Sequence, residues 1–339
     1  MPRPPRPLPE GLGETFLRAD ALAAGVSARR LRAKDLESPF HGVRQTLDAS
    51  TPTLGTITAA ESLDGEEPLA RDRMQRRSVL RAATAYTAVM ADRAFFTSRT
   101  AAVIYGLPLS HTDALDVGVC GPSTAPRGRS IRGFKVQPGL ISVREHNGLR
   151  MSSPASTWAM LGRELSVREL ITVGDAIVRI PRDTIGRLRA DEQLASVEHL
   201  RRAAHAGSRP GVAKLREAVE LVRVGSSSPL ETEFRLDALA DRLPEPELDV
   251  EIRDGRGSLL GITEISYAEF RTLVEIEGDH HRTTKRQWDR DIEKYAAYAA
   301  EGWEVVRLTS RHIRGEGPRA SGMVATVLVR RGWRPETRA

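Results

Sequence analysis

Three glutamates form the most compact chemical grouping in this chain. In Thr272-Leu273-Val274-Glu275-Ile276-Glu277 apolar and acidic residues alternate, so a strand here puts Val274 and Ile276 on one face and Glu275 and Glu277 on the other. Glu264, near the end of the preceding alternating run, adds a third carboxylate, and Gly278-Asp279-His280-His281 follows directly. Like charges placed side by side repel unless a cation relieves them, which sets this grouping apart from the solvated face of an ordinary half-buried strand. Arg282, Lys285 and Arg286, with Arg290, then supply cations suited to following a phosphate backbone. An ordinary solvated helix face is the other reading of those cations.

The elements that must position these groups are readable around them. Ser228, Pro229 and Glu231 have the spacing of an N-cap, a first helical residue and a capping-box acid, so Glu231 has a local role at the start of a helix that buries Leu230, Phe234 and Ala238. After Pro244-Glu245-Pro246, the residues Leu248, Val250 and Ile252 alternate as a strand, Asp254-Gly255 turns it, and Leu259 to Ile265 returns antiparallel. A helix is expected from about Thr284 to Glu301, with Trp288, Ile292, Tyr295 and Ala299 on its buried stripe, closed by Gly302. Trp303 to Leu308 forms a last strand, and 311–328 adds a further helix. The order is helix, three strands, helix, strand.

Further upstream, helix Phe16 to Ala24, the turn Gly25-Val26-Ser27 and a second helix Ala28 to Lys34 have helix-turn-helix spacing. The second helix would present Arg29, Arg30, Arg32 and Lys34 to DNA; the alternative is a plain helical hairpin. Residues 1–10 read as a proline- and arginine-rich tail, 11–50 as the helix-turn-helix or winged-helix-like part, 67–224 as a mixed α/β middle, and 225–330 as a separate C-terminal domain. In the middle, Leu115, Val117 and Val119 mark a strand, Ile131 to Val136 another, and Ser153-Pro154 opens a helical run. His199 and His205 lie in that run with no partner at metal-ligand spacing and are expected to cap a helix or face solvent.

The composition sets limits on all this. With 339 residues, 40% hydrophobic and 28% charged, the chain is a folded protein of two or three domains and an overall α/β (α+β) class. Lys and Arg total 51 against 45 acidic residues, a net charge of +6 that suits a polyanion. Cys120 is the single cysteine, which excludes an intrachain disulfide and a cysteine-based zinc cluster and fits a reducing cytoplasm. No apolar run approaches the ~20 residues of a membrane span, and residues 1–10 lack the apolar core of a signal peptide.

The runs "SSPLETEFR", "VEIEGDHHRTTKRQWDRDIEK" and "GWEVVRLT", with the αβββαβ order, resemble a family related to very-short-patch-repair endonucleases within the PD-(D/E)XK superfold. The resemblance covers Ser228 to Thr309. It implies a restriction-endonuclease-like domain that hydrolyses DNA phosphodiester bonds with Mg2+ or Mn2+. On that footing Glu264 and Glu275 are metal ligands, Ile276 offers its carbonyl, Glu277 occupies the place of the signature lysine, and His281 is a general base or phosphate contact. Glu231 is an outer acidic residue, with Asp291 and Arg307 as supports. The 15–44 stretch is similar to the winged-helix region of AbiEi-type antitoxins, with Gly42-Val43-Arg44 at the wing. A non-catalytic DNA-binding regulator, an antitoxin-like repressor built on a degenerate nuclease fold, is the alternative expectation, and a protein-interaction module a third.

Overall fold

The structure, a computed structural model, describes residues 5–47, 70–277, 285–315 and 319–335, with side chains from 72 and from 292 in the second and third of these segments. It is a mixed α/β protein, as the sequence implies, and divides into two compact units: Met1–Arg163 with His205–Pro210, and Glu164–Ala204 with Gly211–Ala339.

The first unit opens with strand β1 (Thr15–Leu17), helix α1 (Arg18–Ala23), β2 (Leu36–Glu37) and β3 (Val43–Thr46), the strands lying antiparallel in the order β1-β3-β2. Phe16, Ala21, Val26 and Leu31 form a small core beside these strands, and Leu8 and Leu12 pack on it, so the expected tail is folded in part. Gly25 takes a left-handed φ of 80° to turn the chain, as its position predicts. The expected second helix is absent. In place of Ala28 to Lys34 there is one 3-10 turn, Arg30–Arg32. Arg44 Nε takes the Leu31 carbonyl at 3.0 Å, which a continuing helix would need, and Arg30 is drawn onto Asp35 by two bonds of 2.9 and 2.7 Å.

Helix α2 (Ala70–Thr87) leads to β4 (Phe95–Phe96), α3 (Ser98–Ile104), β5 (Leu115–Cys120), β6 (Ile131–Val136), β7 (Val143–His146), β8 (Leu149–Ser152) and α4 (Pro154–Leu161). The five strands are ordered β6-β5-β4-β8-β7, with β5 parallel to β6 and β6 on the edge. The β7–β8 hairpin, which hydrophobic alternation did not mark, turns on Asn147-Gly148 at φ 51° and 73°. That Asn-Gly pair was the available signal.

The second unit begins before the boundary read from sequence. Helices α5 (Val167–Val178), α6 (Val197–His205) and α7 (Val212–Leu221) precede α8 (Pro229–Ala240), and α5 cannot be separated from α8. Asp175 on α5 is buried and accepts bonds from Arg235 at 2.8 Å, Thr232 at 2.8 Å and the Arg223 amide at 2.8 Å. A domain cut at 224/225 would strand that carboxylate. His199 behaves as expected: its Nδ1 accepts the Ser196 amide at 3.1 Å at the start of α6.

Strands β9 (Glu247–Arg253), β10 (Leu259–Tyr267), β11 (Thr272–Glu277) and β12 (Glu304–Thr309) form one sheet in the order β12-β11-β10-β9, with β11 parallel to β12 and the other pairs antiparallel. Asp254 closes the predicted hairpin, its Oδ1 accepting the amides of Arg256 at 2.9 Å and Ser258 at 2.8 Å. Helix α9 (Lys285–Ala300) joins β11 to β12, and α10 (Ser310–Arg314) and α11 (Ala320–Arg330) follow. One sheet face, with Ile265, Tyr267, Val274, Ile276, Val306 and Leu308, packs on Phe234 and Ala238 of α8 and on Val324 and Leu328 of α11. The other face places Ile252 and Leu273 with Tyr298 of α9. Among the described residues no helix is long and apolar enough to cross a membrane.

Candidate functional site

The sheet of the second unit forks. Strand β10 stays paired to β9 from Leu259↔Arg253 to Ser266↔Glu247, and β11 stays paired to β12 throughout, but β10 and β11 pair only from Tyr267↔Thr272 to Ile265↔Val274. Glu264 and Glu275 are the next residues on each side, where the strands part. The Ile276 amide, left without a strand partner on that side, donates to Glu264 Oε2 at 2.6 Å. Ile276 thus turns its N–H to the site, and in a strand the carbonyl of the same residue leaves on the same side.

Glu231 enters from the N-terminus of α8. The Ser228 hydroxyl accepts the Glu231 amide at 3.3 Å, as a capping box requires, but the Glu231 carboxylate takes the amide of Ser227 at 2.7 Å, one residue further back. Its side chain is only 3% exposed. Burial first, then the charge of Glu231 and more weakly that of Glu275, push Glu264 up to about 8, against the opposing Ile276 amide and Lys294. Burial also raises Glu231 to about 7, opposed by its bonds to Ser227 and Ser228 and by Arg179, and Asp249 adds to the rise. Glu264 therefore feels both Glu231 and Glu275, while burial is the main reason that Glu231 and Glu264 hold their protons.

This has a measurable consequence. Both carboxyls bind protons more tightly folded than unfolded, so between the unfolded value near 4.5 and the folded values near 7 and 8 the native state holds the extra protons and stability falls as pH rises. The full stabilisation is present below pH 4.5 and is lost through pH 8. Melting temperature in a chelated buffer is expected to drop between pH 5.5 and 8.5, and Glu264→Gln, which cannot ionise, to flatten that drop and to be more stable than wild type at pH 8.5. An unchanged slope in the variant would contradict the cluster.

Two cations meet the remaining acids. Lys294 of α9 pairs with Glu275 at 2.9 Å, its ammonium 5.5 Å from the Tyr298 ring centroid. Gly261 makes the space: a Cβ there would lie 2.5 Å from the Tyr298 hydroxyl and 3.3 Å from Lys294 Cε. Arg307 pairs with Glu277 and lies over Tyr295 at 5.2 Å. The helical stripe read from sequence is accordingly rotated: Ile292 is 53% exposed and Ala299 exposed, whereas Tyr298 is fully buried and Lys294 faces the acids. Lys294, Arg179 and Asp249 were not anticipated. A lysine in a helix reads as a solvated residue unless the facing acid is known. The side chains of Lys285, Arg286, Trp288 and Asp291, and His281 and Arg282 altogether, lie outside the described residues.

The N-terminal cations divide differently from the expectation. Arg30 is committed to Asp35 and to the Arg6 carbonyl at 2.5 Å, so it is not available to read bases. Arg29 and Arg32 remain exposed on the turn, with Arg32 Nε donating to the Ala28 carbonyl at 3.3 Å.

Hard carboxylate oxygens at a fork suit Mg2+ or Mn2+ in kind, because Mg2+ is commonly held by one or two carboxylates and keeps several waters. Among the described residues no group of three or more His, Cys, Asp or Glu is gathered closely enough to hold a metal ion by side chains alone.

Fold and site together define a mixed α/β protein whose C-terminal unit carries a carboxylate-lined fork in a four-stranded sheet. No protein-family model matches the chain. Two proteins of Mycobacterium tuberculosis are similar to it: uncharacterized protein MT2308 of strain CDC 1551 / Oshkosh and uncharacterized protein Rv2248 of strain ATCC 25618 / H37Rv. Each is 26% identical over 235 residues, covering 68% of this chain and 80% of the relative. Neither name states an activity.

Proposed function

We propose that the second unit is a DNA endonuclease dependent on Mg2+ or Mn2+. The observation that supports this reading best is the approach of Glu231 and Glu275 to Glu264 at the fork, from three elements, close enough for both charges to add to the rise that burial gives the Glu264 carboxyl. The likeness of the "VEIEGDHH" and "GWEVVRLT" runs to the endonuclease-related family adds to it. Glu264 and Glu275, with the Ile276 carbonyl, would hold the ion, which when bound polarises the scissile phosphate and acidifies an attacking water. Glu264 binds only as its carboxyl gives up the proton that burial favours. Lys294, steered by Glu275, offers an ammonium to a phosphate oxygen, the part that Glu277 cannot play as an acid paired with Arg307. Within this reading His281 takes a proton or contacts phosphate, and Arg282, Lys285 and Arg286 follow the backbone of the substrate.

Supercoiled plasmid incubated with the purified chain is expected to be nicked when Mg2+ or Mn2+ is supplied and to be left intact when EDTA removes the ion. A second reading, a DNA-binding regulator on a nuclease-like fold without hydrolysis, is favoured by one feature: Glu275 and Glu277 already have cationic partners in Lys294 and Arg307. Retarded migration of DNA with no cleavage of any single- or double-stranded DNA or RNA would decide for that regulator.

A further inference from the structure

We propose that the edge of the five-stranded sheet in the first unit, residues 121–136, is a DNA-backbone docking surface formed by Arg127, Arg129 and Lys135. This goes beyond the hydrolytic reading and does not depend on it.

The segment Gly121 to Val136 contains four cations, Arg127, Arg129, Arg132 and Lys135, and no carboxylate. It is not a loose loop. The Ile131 amide donates back to the Gly128 carbonyl at 3.2 Å, and Ser130 takes a left-handed φ of 60° to allow it. The Ser130 carbonyl accepts the Leu115 amide at 2.9 Å, fixing the turn to β5. The Pro126 carbonyl lies directly on Gly133, where an added Cβ would be 2.0 Å from its oxygen, so the approach is possible only at a glycine. The result is a hook folded back on the edge strand. Because alternate residues of a strand share a face, Lys135 leaves β6 on the face of Gly133, onto which the Pro126 backbone folds just before Arg127.

One cation holds the hook and three are left for a partner. Arg132 donates to both oxygens of the fully buried Asp116, at 2.6 and 2.8 Å, and its guanidinium lies 5.2 Å from the Phe134 ring centroid. Arg127, Arg129 and Lys135 are exposed, and among the described residues none of them has an ion-pair partner. Unpaired cations on a rigid backbone meet the main requirement of phosphate binding, a positive array that loses little entropy when DNA arrives. The turn at Arg30–Arg32, where the sequence placed the DNA-reading helix, has by contrast spent Arg30 internally.

The test measures binding of a fluorescent duplex of ~25 base pairs by the full chain over a salt series, long enough to span several phosphate contacts. Replacing Arg127, Arg129 and Lys135 together by Ala is expected to weaken binding ~10- to 100-fold near 0.1 M salt and to lower the log–log salt slope by about 2 to 3, as for three phosphate contacts. Gly133→Val keeps every charge but must push the hook away, and is expected to weaken binding as well. A matched variant with Arg29, Arg32 and Lys34 replaced by Ala, equal in charge lost, is expected to have the smaller effect. Equal losses in the two triple variants, unchanged affinity and slope in the first, or no salt-dependent DNA binding by wild type each overturn the proposal. So does loss of solubility alone on removal of the cations, which would mark them as guards of an edge strand. Absence of nicking with hook-dependent binding intact would count against the endonuclease reading and leave this one standing.

Discussion

Glu275→Ala is expected to lower plasmid nicking by at least ~1000-fold, because losing a ligand removes most of the several kcal/mol that a bound divalent ion supplies to phosphoryl transfer. The alanine variant also strips Lys294 of its partner, so loss of activity in it mixes chemistry with local collapse. Glu275→Gln separates the two: it preserves shape and a hydrogen-bond acceptor for Lys294 while deleting the charge, and is expected to fall nearly as far with an unchanged melting temperature. Lys294→Met should cost about 10- to 100-fold, the range for a group that tunes a metal site from beside it, with Lys294→Arg recovering part. If Glu275→Gln nicks as wild type does, the carboxylates at the fork have no catalytic part.

The second large effect is on folding. Asp175→Ala is expected to destabilise the second unit by about 3–5 kcal/mol, the usual result of breaking one side of a buried ion pair. Arg235 is 3% exposed, and its Nε has no partner among the described residues even in the wild type. Without Asp175 its charge would have only the Leu221 carbonyl, at 3.0 Å. The Arg223 amide and the Thr232 hydroxyl would lose their acceptor at the same time. Burial raises the Asp175 carboxyl in spite of Arg235, so desolvation outweighs the pairing here. Removing both charges in an Asp175→Leu, Arg235→Met double variant should therefore restore much of what the single variant loses. Chemical denaturation followed by tryptophan fluorescence measures both, and a single variant within about 1 kcal/mol of wild type would show that the pair is not structural.

What could be read from the sequence follows from the range of the interactions. The αβββαβ order, the Asp254 turn and the alternation of Val274, Glu275, Ile276 and Glu277 depend on neighbours in the chain, and each is found in the structure. Glu264 meets Ile276 across a short connection, and the sequence already placed a glutamate on one strand opposite the acids of the next. Lys294 escaped because its partner lies 19 residues away and hydrophobicity alone assigned the buried stripe of α9 to Ile292 and Ala299. The Asp175–Arg235 pair spans 60 residues, and no local pattern marks a lone aspartate in an amphipathic helix as buried. In the N-terminal region a helix-like pattern in 28–34 lost to a contact from further along the chain, Arg44 on the Leu31 carbonyl, and to the local pair of Arg30 with Asp35. The basic hook was visible as composition, but its rigidity rests on the approach of Pro126 to Gly133, which only coordinates reveal.

The fork between β10 and β11 also provides an unlabelled reporter. The Ile276 amide is bonded to a side-chain oxygen, not to a neighbouring strand, so its exchange with deuterium follows the state of one carboxyl. An ionised Glu264 grips that amide more firmly than a protonated one. Raising the pH through 8 should thus slow Ile276 relative to the intrinsic acceleration seen at Val274, one step inside the paired ladder. A single backbone position would then register, without a chromophore, whether Glu264 carries its proton.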